Sequence, residues 1–184
     1  MKYKTIALGL ALIITMLSMN QCSRGVRVDL KVDEAEEKVE VLVDGELFTS
    51  YIYPEQVKKP VLWPVMSPGG NMLTRSYPMV NKEGDRTDHP HHVGIWFNHG
   101  DVNGLDFWNN SYARPAEDRH TYGSIRHVSV EKATVGVGSA ELATLSEWIT
   151  PEGEALLQEE CTFHFQARAG IRIIDRITTL KALV

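Results

Sequence analysis

Alternation of apolar and polar residues constrains the fold of this chain more than any other feature. Every second residue is apolar at residues 26–32 and again at residues 39–43. A period of two puts these side chains on one face of an extended strand, whereas a helix needs apolar residues three and four positions apart. Asp44-Gly45 suits the positive φ angles of a tight turn, so residues 39–43 and 47–53 are predicted to pair as a hairpin.

The C-terminal half of the chain returns to the same alternation and predicts a meander of strands. Pro151-Glu152-Gly153 marks one of its turns. Several strands joined by turns favour a sandwich or a barrel, and we expect an all-β protein built as an antiparallel β-sandwich. The alternating segments are residues 125–135, 140–149, 159–166 and 171–179.

The length of 184 residues fits one domain, and no repeat, linker or block of charge divides it. The chain stops at Leu183-Val184, directly after an apparent strand and without a polar tail. We therefore expect a C-terminally truncated domain, with further residues needed to complete the sheet.

The N-terminus has the composition of an export signal. Lys2 and Lys4 precede an uncharged apolar run of 12 residues at positions 6–17. This run is shorter than the roughly 20 residues that span a bilayer. Cys22 follows it and resembles the lipid-acceptor cysteine of bacterial lipoproteins, although Gln21 replaces the small residue that usually precedes that cysteine.

These features predict a cleaved lipoprotein signal peptide at residues 1–21 and a mature domain at residues 22–184. Lipidation at Cys22 would attach the domain to a membrane. We expect an exported lipoprotein of the outer membrane or facing the periplasm, with a soluble periplasmic protein as the alternative.

Charge and cysteine content narrow the class of protein further. The formal net charge is −5, so we expect no basic face for nucleic acid. Cys161 is the single cysteine after Cys22, which leaves a lipidated chain without an intrachain disulfide. The alternation around Cys161 indicates a small core residue and not a nucleophile.

Histidines are concentrated in the middle of the chain. Residues 72–119 are rich in Gly, Pro, Asn, Asp and His, which predicts long loops around a short strand at residues 93–97. His89, His91 and His92 fall within four positions. Because His89 precedes a proline, we expect it to be extended, with His89 and His91 on one side and His92 on the other.

Three other histidines, His120, His127 and His164, are isolated and are predicted to be structural or exposed. Polar groups follow the cluster between Trp96 and Trp108. Amides, imidazoles and carboxylates beside indole rings suit a carbohydrate-like ligand, whose hydroxyls need hydrogen bonds and whose C–H faces stack on aromatic rings.

A metal site has weaker support. No HExxH or CxxC motif occurs, but His99-Gly100-Asp101 with His164 could form the two-histidine, one-carboxylate face of a non-haem iron oxygenase. A divalent metal at His99 and Asp101 is therefore an alternative that the sequence does not require. Phosphate-binding glycine loops and the Gly-x-Ser-x-Gly motif are absent from the sequence.

Three stretches of the chain carry a family resemblance. They are Arg75-Ser76-Tyr77-Pro78, residues 87–92 and residues 96–108. In these stretches the chain closely resembles a PmoA-like family of exported bacterial proteins, often labelled "methane oxygenase" and of unknown function, over most of the mature chain. The label implies an oxygenase, and members extend further at the C-terminus. The β pattern is also similar to galactose-mutarotase-like sandwiches, as an analogy of fold.

Our first hypothesis is a protein that binds or processes a carbohydrate, as an isomerase, lyase or hydrolase. The alternatives are a metal-dependent oxygenase and a non-catalytic lipoprotein that binds a glycan or a partner. Candidate catalytic residues are His89, His91, His92, His99 and Asp101, and candidate ligand-binding residues are Arg75, Asp88, Asn98, Asp106 and Trp108.

Overall fold

Two antiparallel sheets of four strands form the protein in a computed structural model that describes residues 25–109 and 111–184. The predicted signal peptide and Cys22 lie outside these residues. The first sheet contains β1 (Val28–Asp33), β2 (Lys38–Val43), β3 (Glu46–Ile52) and β4 (Val61–Val65), in that order. The second contains β5 (Ser124–Gly136), β6 (Ser139–Ile149), β7 (Ala155–Arg168) and β8 (Ile171–Ala182), also in chain order.

The predicted hairpin at Asp44-Gly45 is confirmed. Asp44 has a φ of 53° and Gly45 a φ of 87°, so both turn residues adopt the left-handed region that a two-residue hairpin requires. Val43 pairs with Glu46 across this turn. The first sheet is thus a meander of short strands of 5 to 7 residues.

The predicted C-terminal meander is confirmed as well, and its strands are longer. Strands β5 to β8 have 11 to 14 residues, and burial along β6 alternates at every position. The predicted turn at residues 151–153 joins β6 to β7, where Thr150 donates a backbone hydrogen bond to Glu154 at 2.9 Å. The second sheet therefore reaches well beyond the first.

The inner faces of the two sheets pack together around one hydrophobic core, so the fold is the predicted β-sandwich. Phe48 of the first sheet meets Phe165 of the second edge to face, with ring centroids 6.2 Å apart. Tyr51 and Phe163 also meet across the interface, at 5.9 Å. Cys161 is a buried free thiol in this core, as its alternation predicted.

Two smaller cores hold the long loop segment against the sheets. Phe107 packs with Ile125 and Trp148 of the second sheet. Val93 packs with Val61 at the start of β4. Both ends of the histidine-rich segment are therefore fixed to the sandwich by buried apolar side chains.

Among the described residues, the helical content consists of short 3₁₀ turns. None of the helices in the described part of the chain is long and apolar enough to cross a membrane. The 3₁₀ turns are Glu55–Val57, Ser111–Ala113 and Ala116–Thr121.

The prediction of a strand at residues 93–97 is wrong. This segment forms one isolated bridge, in which Leu62 and Ile95 exchange backbone hydrogen bonds of 2.8 and 3.1 Å. Gly94 breaks the extended conformation because its φ is +61°. A Cβ at Gly94 would also lie 2.1 Å from the carbonyl oxygen of Leu62. Glycine therefore lets the loop approach the edge of the first sheet.

This close approach makes Gly94 sensitive to substitution. Gly94→Ala adds a collision with the Leu62 backbone to the cost of a positive φ, and should destabilise the protein severalfold more than Gly70→Ala in urea unfolding. Gly70 is the matched control, because its φ is +77° and nothing lies within 4 Å of its Cβ position. The control should lose about 1 kcal/mol, the usual cost of a left-handed non-glycine residue. Equal losses in the two variants would contradict this role of Gly94.

Candidate functional site

Three imidazoles meet in one cluster on the loop after Asp88. The ring centroids of His89 and His92 are 5.0 Å apart in a stacked arrangement, and those of His91 and His92 are 4.3 Å apart. His89 and His91 lie 5.7 Å apart. The chain thus brings together all three histidines of the Asp88–His92 motif.

The predicted arrangement of these histidines on opposite sides of an extended segment is wrong. His89 adopts a φ of 51° and is not extended. A turn follows, closed by a 3.0 Å hydrogen bond from the backbone N–H of His92 to the carbonyl of His89. This turn places the His92 ring over the His89 ring.

A carboxylate pairs with the first histidine of the cluster. Asp88 Oδ2 lies 2.8 Å from His89 Nδ1, and Asp88 Oδ1 lies 3.5 Å from the Arg75 guanidinium. The hydrogen bond from His89 is the main cause that lowers the pKa of Asp88. Arg75 also donates to the carbonyl of Arg86, and its own carbonyl accepts from Trp63 Nε1 at 3.0 Å. The pair is therefore held from the first sheet.

Two indoles border the imidazoles. The Trp108 ring lies 6.2 Å from the His91 ring and 6.4 Å from the His92 ring, and it meets Trp96 edge to face at 5.4 Å. Trp108 is 45% exposed, a large fraction for an indole within a packed aromatic group. We call this group the His–Trp surface; it comprises His89, His91, His92, Trp96 and Trp108.

Asp106 supports the His–Trp surface through the backbone. Its Oδ1 accepts hydrogen bonds from the backbone N–H groups of Trp108 at 2.7 Å and Asn109 at 3.1 Å. Its Oδ2 accepts from the Asn109 side chain at 2.7 Å. The predicted ligand-binding residue Asp106 is thus engaged in orienting the turn that carries Trp108.

The candidates His99 and Asp101 lie outside the imidazole cluster. Asp101 Oδ1 accepts from the backbone N–H of Gly104 at 2.9 Å and closes a tight turn. The His99 side chain is exposed, while its carbonyl accepts from Phe107 at 3.3 Å. Asn98 has its side-chain nitrogen buried without a hydrogen-bond partner among the described residues.

The residues of the predicted iron site are not brought together. His164 lies on β7 beside Glu141 of β6, with 3.6 Å between Nδ1 and Oε2. Phe97 of the loop contacts Trp148 of β6, with ring centroids 6.1 Å apart. Trp148 is seven positions along β6 from Glu141, which separates the two residues by about 23 Å at the usual rise of a strand. Within residues 25–109 and 111–184, no three His, Cys, Asp or Glu side chains form a group that could hold a metal ion.

Two other histidines have structural partners. His127 lies half-buried, with Nδ1 3.0 Å from the Tyr51 hydroxyl and its ring stacked on Tyr53 at 3.9 Å. His120 Nδ1 lies 2.7 Å from the carbonyl of Glu117. These contacts agree with the prediction that these histidines are structural or exposed.

Lys59 is a site residue that the sequence pattern did not single out. It is 4% exposed, and its Nζ donates to the carbonyl oxygens of Trp108 at 2.6 Å and Phe107 at 3.3 Å. The same nitrogen lies 4.0 Å from the centroid of the Trp96 ring. Burial lowers the pKa of Lys59 to about 7, although Asp106 opposes this change.

Two imidazoles of the cluster, those of His91 and His92, have lowered pKa values. Burial, followed by the positive charges of His92, Lys59 and His89, lowers the pKa of His91 to about 4. Burial is also the main cause that lowers the pKa of His92. A neutral imidazole has one donor and one acceptor nitrogen, so the cluster can bind hydroxyl groups or accept protons.

The lowered pKa of His91 predicts a specific pH dependence of stability. The unfolded chain binds more protons between about pH 6.5 and 4, so stability present above pH 6.5 is lost as the pH falls toward 4. His91→Asn should therefore flatten the fall in unfolding free energy measured with urea from pH 7 to 4. His120→Asn, which replaces a histidine of the 3₁₀ turn Ala116–Thr121, is the control and should give a steeper slope than His91→Asn. An unchanged slope in His91→Asn would contradict the lowered pKa.

Comparisons with known proteins place the chain in a family without naming an activity. No curated protein and no solved structure matches it. The PmoA-like resemblance and the mutarotase-like analogy therefore stay predictions. Residues 38–184 match a family of unknown function. The matched part includes the whole His–Trp surface and every strand except β1. The chain belongs to this family, DUF6807.

Proposed function

We propose that this protein binds a carbohydrate-like ligand on the His–Trp surface, and that the Asp88–His89 pair acts on it as a general base. The observation that carries the proposal is the meeting of three imidazoles beside an exposed indole, at ring distances of 4.3 to 6.4 Å. Sugars present hydroxyl groups and apolar C–H faces together, and this surface offers a partner for each.

Neutral imidazoles support the binding part of the proposal. A charged cluster would be hydrated and would repel further protons, whereas His91, with a pKa of about 4, is neutral at pH 7. Each neutral ring can donate one hydrogen bond to a hydroxyl group and accept another. The exposed part of Trp108 lies directly beside two of these rings and can stack on a sugar face.

The Asp88–His89 contact supports the catalytic part. An ionised carboxylate next to Nδ1 favours the tautomer with its proton on that nitrogen, which leaves Nε2 as the acceptor. The lowered pKa of Asp88 keeps its carboxylate ionised. The pair can therefore take a proton from a hydroxyl, a water molecule or a sugar carbon, as isomerases, lyases and hydrolases require.

Export and lipidation at Cys22 are part of the same proposal and depend on the sequence of residues 1–22. A lipid anchor would hold the domain at a membrane surface outside the cytoplasm. Its substrate would then be an extracellular or periplasmic glycan or a fragment of one.

Binding is tested with a panel of methyl glycosides of common hexoses, pentoses and uronic acids, using calorimetry on the mature domain. We expect wild-type binding to one class, and at least a tenfold loss of affinity, about 1.4 kcal/mol, in Trp108→Ala and in His91→Ala. His164→Ala removes a histidine from the other end of the second sheet and should bind as wild type. Unchanged affinity in both site variants would contradict the proposed surface.

Catalysis is tested separately with Asp88→Asn. This variant keeps the shape of the side chain but removes the charge that orients His89. Turnover of the bound glycoside or of its oligosaccharide should fall about 100-fold or more, the usual contribution of a general base, while affinity changes less than threefold. Binding without turnover in the wild-type protein would instead select the non-catalytic glycan-binding alternative.

A further inference from the structure

Lys59 brings a titratable amino group into the protein without an ion pair among the described residues. Its Nζ contacts two backbone carbonyls and the face of Trp96, and no carboxylate of the described residues lies within ion-pair distance. Taking an ammonium group out of water is costly, and only close partners can offset that cost. An apolar side chain of similar length would fill the same space at lower cost, so the ammonium group points to a role beyond packing.

The backbone at Lys59 is fixed to the sandwich from both sides. The carbonyl of the preceding residue, Lys58, accepts a 2.8 Å hydrogen bond from Ile125 at the start of β5. Val61, two residues later, begins β4 of the first sheet. Lys59 therefore projects from a backbone fixed to both sheets toward the loop that carries Phe107 and Trp108.

Lys59 contacts both tryptophans of the His–Trp surface. Its Nζ donates a hydrogen bond to the backbone carbonyl of Trp108 at 2.6 Å and lies 4.0 Å from the centroid of the Trp96 ring. We propose that Lys59 is a positioning residue, whose ammonium group holds Trp96 and Trp108 in the arrangement that binds the ligand. This inference deepens the proposed function and rests on it for the identity of the ligand.

The positioning depends on the charge of Lys59 and therefore on pH. Three titratable groups act on it: Asp106 favours its charged form, whereas His91 and His92 repel it when they are protonated. Its pKa of about 7 means that the ammonium form is lost as the pH rises through neutrality. The neutral amine has one fewer proton to donate and no charge for the indole face. Ligand affinity should therefore fall as the pH rises from 6.5 to 8.5.

The contact is tested first without any ligand, by tryptophan fluorescence of the mature domain between pH 5.5 and 9. We expect a transition with a midpoint near 7 in the wild type, and its loss in Lys59→Met. Trp96→Phe should remove most of the same transition, while Trp63→Phe, an indole that bonds Arg75, should keep it. Identical titrations of the wild type, Lys59→Met and Trp96→Phe would overturn the proposal.

The effect on the site is tested with the methyl glycoside that binds most tightly in the panel above. Wild-type affinity should be at least threefold higher at pH 6.5 than at pH 8.5. Lys59→Met should bind at least tenfold more weakly at pH 6.5 and show no pH dependence, with thermal unfolding as the check on folding. Wild-type affinity in Lys59→Met would overturn the positioning role.

The two proposals fail in different ways. If no glycoside binds the wild-type protein, the proposed function fails, but the fluorescence titration still decides whether Lys59 holds the indoles. If Lys59→Met does not fold, the comparison of Trp96→Phe with Trp63→Phe decides the same point. A wild-type transition that survives in Trp96→Phe would then overturn the inference.

Discussion

The unequal length of the two sheets is the constraint on which the rest of the structure depends. Strands of the second sheet have 11 to 14 residues, against 5 to 7 in the first, so part of its inner face extends beyond its partner sheet. That part carries Trp148, whose Nε1 donates to the buried carboxylate of Glu159 at 2.8 Å. If water reached this indole and carboxylate, the indole would lose its packing contacts and the hydrogen bond between the two groups would be weakened. The long loop segment covers them.

The loop segment packs closely on this part of the second sheet, and the candidate site lies on the side of the loop that faces away from the sheet. Phe107 lies 5.0 Å from Trp148, and a Cβ at Gly123 would fall 2.2 Å from the Phe107 ring. The chain can therefore pass Phe107 only where it has no side chain. Trp108, the next residue, points away from this core and joins the imidazole rings. One step along the chain thus separates the residue that closes the sandwich from the residue that forms the candidate site.

The sequence was informative wherever structure depends on neighbouring residues. Period-two alternation predicted both meanders, and Asp44-Gly45 predicted a hairpin, because strand faces and tight turns are set locally. The sequence also located the His89–His92 cluster and Trp108. It did not predict the turn at His89, since proline was expected to keep that residue extended and the observed φ of 51° lies outside that region. Lys59 was missed because its burial depends on carbonyls 48 and 49 positions away.

The charged and titratable groups of the candidate site influence one another's protonation. Five basic groups, those of Arg75, His89, His91, His92 and Lys59, are gathered on one side of the protein, and two carboxylates, Asp88 and Asp106, lie among them. If all five were protonated, the group would carry a large excess of positive charge with too few carboxylates to offset it. The lowered pKa values of His91, His92 and Lys59 relieve that excess near neutral pH. Arg75 and Asp88 then form a balanced pair, Lys59 is close to half protonated at pH 7, and the His91 imidazole is left neutral. A surface of this kind is polar without a strong field of one sign, which suits a ligand recognised by hydroxyl groups more than one recognised by charge.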